Sequence, residues 1–89
     1  MKLSEGFLLR QVCGETLLMP VGEKTREFNG IFTLPETGAF LLGEFKKGAD
    51  TEAAAESLAK EYEIDPLTAL QDTREFVDQL LGYGILTEE

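Results

Sequence analysis

The chain has 89 residues, 17 acidic and 8 basic side chains, no histidine and one cysteine. That length supplies one domain whose core buries only about 60–65% of the unfolded chain's surface, leaving little room for a deep catalytic cavity. The absence of histidine excludes Ser-His-Asp and Cys-His nucleophile schemes and histidine-based metal sites, and a lone Cys13 excludes an intrachain disulfide framework or a cysteine metal cluster.

The residues 7–13 (FLLRQVC) and 16–21 (TLLMPV) read as two apolar strands, with Gly14-Glu15 between them as a two-residue type II′ turn. Pro20 belongs at a strand end or edge, because it cannot donate to a ladder. Residues 22–27 are polar and read as a loop. A third strand is expected over 28–34, with a start at Ile31 as a variant reading, because Asn29-Gly30 is itself a turn signal that could split the segment. Pro35-Glu36-Thr37-Gly38 then breaks the strand pattern.

Residues 39–45 (AFLLGEF) suit a first helix over about 36–47, with a strand as the alternative. Lys46-Lys47 complement its C-terminus and Gly48 fits the position after it. Asp50 or Thr51 caps a second helix over 51–62, whose stripe is Ala55, Leu58, Ala59 and Tyr62. Asp65-Pro66 opens a third helix running to 81 or 82. Leu70, Thr73, Val77, Leu80 and Leu81 share one of its faces, and Ala69, Phe76 and Tyr83 lie along a margin beside polar Asp72 and Gln79. Gly82 and Gly84 end it, and Ile85-Leu86 follow as a short apolar tail. The expected fold is a single α+β, winged-helix-like domain over 1–89: a three-stranded antiparallel sheet, then three helices.

Charge divides sharply along the chain. Residues 1–49 carry six basic and six acidic side chains, whereas residues 50–89 carry two basic and eleven acidic ones, so the whole net charge of −9 lies in the helical part. The third helix has Arg74 against Asp72, Glu75 and Asp78, which disfavours the runner-up reading, a winged-helix DNA-binding regulator. An acyl-carrier reading fails because Ser57 sits inside a helix in Ala-Glu-Ser-Leu-Ala rather than in an Asp-Ser-Leu at a helix start. No signal peptide opens the sequence and no run approaches a membrane span, so a cytoplasmic domain is expected, with no membrane or nucleic-acid partner.

The order and spacing of Leu34-Pro35-Glu36-Thr37-Gly38, the apolar AFLLGEF, Gly48, Thr51, Leu58-Ala59-Lys60-Glu61-Tyr62, Asp65-Pro66, Asp72, Phe76, Leu80 and Gly84-Ile85-Leu86 resembles the coenzyme PQQ synthesis protein D (PqqD) family, whose fold is also called the RiPP precursor peptide recognition element. The sequence departs from that pattern at Pro35, where members often carry Asn, and at Leu42, where they often carry Trp. The resemblance implies a non-catalytic peptide chaperone without a cofactor. It would bind the leader segment of a ribosomally made precursor and deliver it to a maturation enzyme, often a radical SAM protein. The leader would add as a strand to the edge of the third strand, in the groove beside the third helix. That implies a binding set of Asn29, Gly30, Ile31, Phe32, Thr33 and Leu34 with Asp72, Phe76, Gln79 and Tyr83. Alternation sends Ile31 and Phe32 to opposite sheet faces, and the sequence leaves open which faces the groove. An open edge is compatible with a monomer or a weak dimer.

Overall fold

The computed structural model describes residues 2–28 and 30–88. Among these residues five strands and three α-helices run in the order β1 (Lys2–Leu3), β2 (Phe7–Val12), β3 (Glu15–Pro20), β4 (Phe32–Leu34), α1 (Glu36–Lys46), α2 (Thr51–Tyr62), α3 (Pro66–Gly82) and β5 (Leu86–Thr87). Strands β2, β3 and β4 form the expected antiparallel sheet, with β3 in the middle.

The hairpin turn lies one residue earlier than the sequence implied. Val12 pairs with Glu15, so Cys13 and Gly14 are the central residues. Both have positive φ, 53° and 81°. That is the signature of a type I′ turn, whose twist matches a right-handed hairpin, rather than the expected type II′. The reason is register. A turn at 13–14 sets Leu9 opposite Leu18 and Phe7 opposite Pro20, whereas a turn at 14–15 would set polar Gln11 against Leu18. Apolar cross-strand pairing decides the matter. Pro20 ends its strand, as expected.

The segment 28–34 is not one strand. Strand β4 begins only at Phe32, so Gly30 and Ile31 precede it, and Asn29 lies outside the described residues. Phe28 makes edge contacts with Phe7 at 5.1 Å and with Phe32 at 6.0 Å between ring centroids. Residues four apart in a continuous strand would stand about 13 Å apart. The chain therefore bends between the two rings, at Gly30 with φ of 91°. The polar stretch expected as a loop contains a 3-10 helix, Gly22–Arg26. The expected apolar tail is instead strand β5, which pairs with β1 through Leu3–Leu86 and Lys2–Thr87.

The helices follow their sequence signals. Asp50, not Thr51, caps α2 by accepting from the Ala53 N–H at 2.8 Å. Asp65 caps α3 by accepting from Leu67 and Thr68 at 3.1 and 3.2 Å, with Pro66 in the first turn. Ala54, Ala55 and Leu58 of α2 and Ala69, Thr73, Val77 and Leu80 of α3 are buried. The core joins these helices to Leu41, Leu42 and Phe45 of α1, to Phe7 and Leu18 of the sheet, and to Ile85 and Leu86. Leu42 is 1% exposed and belongs wholly to this core.

Candidate functional site: a groove between the sheet edge and α3

Strand β4 pairs with β3 on one side only, and among the described residues no strand pairs with its other side. An edge of this kind leaves N–H and C=O groups free to accept another strand. Helix α3 runs beside that edge in the opposite direction. Phe32, at the start of β4, meets Tyr83, at the end of α3, with ring centroids 6.1 Å apart. Beyond the other end of β4, Pro35 shares a cavity wall with Phe76, further back along α3.

The space between them is a groove of about 250 Å³. Phe32, Thr33, Leu34 and Pro35 form one wall, and Phe76, Gln79, Leu80 and Tyr83 form the other, over a floor of Leu18 and Ile85. Six of the ten residues singled out in the sequence thus come together. The 76, 79, 83 spacing places three of them on one margin of the helix. Register settles the orientation of the strand. Phe32 pairs with Leu18, which is fully buried, and so faces inward. Ile31 precedes the strand and is 54% exposed. It does not line the groove, and neither does Gly30.

Asp72 stands outside this groove as well. It lines an adjoining pocket of about 270 Å³, together with Thr37, Gly38, Leu41, Leu58, Ile64 and Glu75. The two cavities share Pro35, Phe76 and Gln79, so they adjoin at the Phe76 ring. Phe76 is half-buried and packs against the core as well. It serves as both packing residue and groove wall.

Gly38 permits that position of the ring. A β-carbon at residue 38 would stand 3.0 Å from Phe76 Cε1 and 3.3 Å from Cζ. The sequence places Gly38 within the expected first helix of 36–47 without singling it out as a site residue, and it lies in the first turn of α1. A glycine inside a helix is costly without a packing reason, and that cost is the signal that could have marked it. Pro35, Leu80 and Ile85 also line the groove without having been singled out as site residues.

Other features lie elsewhere. Cys13 is exposed at the hairpin turn. Tyr62 donates to Glu36 Oε2 at 3.2 Å, and desolvation together with the Glu36 charge and hydrogen bond pushes its hydroxyl above the ordinary tyrosine pKa. Among the described residues no three His, Cys, Asp or Glu side chains gather as metal ligands, and no helix is long and apolar enough to cross a membrane. The one basic residue of α3, Arg74, reaches Glu52 at 3.8 Å. The helix thus offers a single cation, itself beside Glu52, for a phosphate backbone, and the DNA-binding alternative finds no support.

The architecture is that of a small α+β domain whose sheet edge and last helix frame a groove. The sequence profile of the coenzyme PQQ synthesis protein D (PqqD) family matches residues 15–86, and the chain belongs to that family. A solved structure of TbiB1 in complex with the TbiA(beta) leader peptide shares the fold, with a TM-score of 0.81 over 100% of this chain and 98% of that one, at 21% sequence identity. No curated protein matches the chain.

Proposed function

We propose that this domain is a non-catalytic chaperone for a ribosomally made precursor peptide. It binds the leader segment by strand addition at β4 and presents it to a separate maturation enzyme, a radical SAM protein being the partner that the family membership favours. The observation that carries the reading is the unpaired edge of β4 lying beside a groove walled by α3. Family membership and the likeness to a leader-bound fold agree with it. Main-chain bonds to β4 supply affinity with little dependence on sequence, and the groove supplies selectivity for alternate side chains of the added strand. Phe32, Leu34, Phe76, Gln79 and Tyr83 make the direct side-chain contacts, and Thr33, whose side chain alternates to the other sheet face, contributes main-chain groups. Gly30 and Ile31 act at the entrance to the edge. Within this reading the domain works in the cytoplasm, as a monomer or weak dimer.

The test is a calorimetric titration with the leader segment of a precursor peptide encoded beside this chain's gene. The expected dissociation constant is micromolar or tighter, about −8 kcal/mol or better. The Phe76→Ala variant should lose about 1–3 kcal/mol of binding free energy. Because Phe76 also packs against the core, thermal unfolding of the variant is measured alongside. Lost binding by a variant that remains folded at the titration temperature supports the reading. Full-strength binding by that folded variant removes Phe76 from the site, and no binding by the unaltered domain removes the proposal.

A further inference from the structure

From the pocket beyond Phe76 we infer that the bound strand carries a lysine or arginine side chain there, about four positions N-terminal to the apolar residue seated between Phe32 and Tyr83. This inference rests on the peptide-binding reading above and specifies the class of peptide.

Adjacency is the first ground. The pocket shares Pro35, Phe76 and Gln79 with the groove and adjoins it there, within reach of a long side chain from a strand lying along β4. Its chemistry is the second. The wall is apolar at Leu41, Leu58 and Ile64, which suits the methylene stem of a long side chain, and Asp72 and Glu75 also line it. Both carboxylates belong to exposed residues, and among the described residues no cation lies within ion-pair distance of either. Arg74, between them in sequence, is engaged with Glu52. A hydrophobic slot with two uncompensated carboxylates complements a basic side chain and opposes an acidic one.

Polarity and spacing follow from the geometry. The sheet is antiparallel throughout, so an added strand that continues the pattern runs opposite to β4. Its N-terminal end then lies at the Pro35 end, beside Asp72 and Glu75, and its C-terminal end lies at Phe32 and Tyr83. Along α3, Asp72 and Tyr83 are separated by about 16 Å at 1.5 Å of rise per residue. An extended strand spans about 13 Å from one groove-facing position to the second such position beyond it, and the long basic side chain reaches the remaining few ångströms. Only alternate side chains face the groove, which makes the inward set basic, apolar, apolar at positions one, three and five. The middle one meets Phe76.

The experiment uses the intact domain and fluorescein-labelled ten-residue peptides read by anisotropy. Three probes share composition outside the motif: Lys-x-Leu-x-Leu, Glu-x-Leu-x-Leu and the reversed order Leu-x-Leu-x-Lys. At low salt the first should bind about fivefold more tightly than the second and the third. In the Asp72→Asn, Glu75→Gln double variant that preference should fall below about twofold, through weaker binding of the lysine probe and stronger binding of the glutamate probe. Because both positions are exposed, the variant should keep its fold, which its melting temperature checks. Binding of all three probes with equal strength, or a lysine preference that survives the double variant, overturns this inference and leaves strand addition standing. Failure of all three to bind counts against strand addition itself, and this inference falls with it.

Discussion

The helical half and the strand half of this domain differ in how completely they satisfy themselves. Residues 50–88 start their helices with side-chain caps at Asp50 and Asp65. Their apolar stripes are buried against one another and against α1. The strand half stops short. Among the described residues its sheet has three strands, β4 is only three residues long, and one side of β4 is unpaired. Leu8 and Val12 of β2 remain 43% and 48% exposed. The comparison teaches that the capacity to bind lies where the fold is incomplete. The helices supply a rigid wall, and the sheet supplies unmet hydrogen-bonding groups.

The largest effect should come from the residue that joins the halves. Leu18 is fully buried at the centre of the sheet, under the helices. Leu18→Ala should cost about 2–5 kcal/mol in chemical denaturation. A loss below about 1 kcal/mol would mean that the sheet and helices are not packed around a common core.

A smaller effect tests the seam between α1 and α3. Gly38→Val places a branched side chain where a single β-carbon already crowds Phe76. Overpacking of this kind costs about 1–3 kcal/mol. The crowding displaces the ring, so the variant should also bind leader peptide more weakly. Unchanged stability and affinity would show that the seam is loose and that the Phe76 wall is not held from behind.

The smallest effect has the opposite sign. The Thr73 hydroxyl is buried in α3 and has no hydrogen-bond partner among the described residues. Thr73→Val removes that unsatisfied group at nearly constant volume and should stabilise the domain by up to about 1 kcal/mol. Destabilisation would reveal a partner for the hydroxyl, such as a buried water.

These contrasts also explain what was legible in the sequence. Helix starts were readable because Asp50 and Asp65-Pro66 encode them locally, through a side-chain acceptor and a fixed φ. The strand boundaries were less readable because contacts distant in sequence set them. The turn moved to Cys13-Gly14 when Leu9 paired with Leu18. The start of β4 moved to Phe32 when the Phe28 ring packed between Phe7 and Phe32. The β1–β5 pair joins residues more than eighty positions apart and has no local signature. At the candidate site, helical spacing put Phe76, Gln79 and Tyr83 along one margin of α3, and the resemblance made that margin a binding surface. It could not reveal that Asp72 stands in a separate pocket or that Gly38 makes room for the ring, since both depend on how α1 meets α3.

The central claim is that the free edge of β4, and not another surface, takes up a peptide strand. Amide hydrogen exchange followed by NMR, with and without a bound leader peptide, tests it most directly. The claim predicts new protection at the amides of residues 32–34 that β3 leaves unpaired, with the largest chemical-shift changes there and at residues 76–83. Protection confined to α2, or shifts centred on the exposed face of β2 with β4 unchanged, would contradict it.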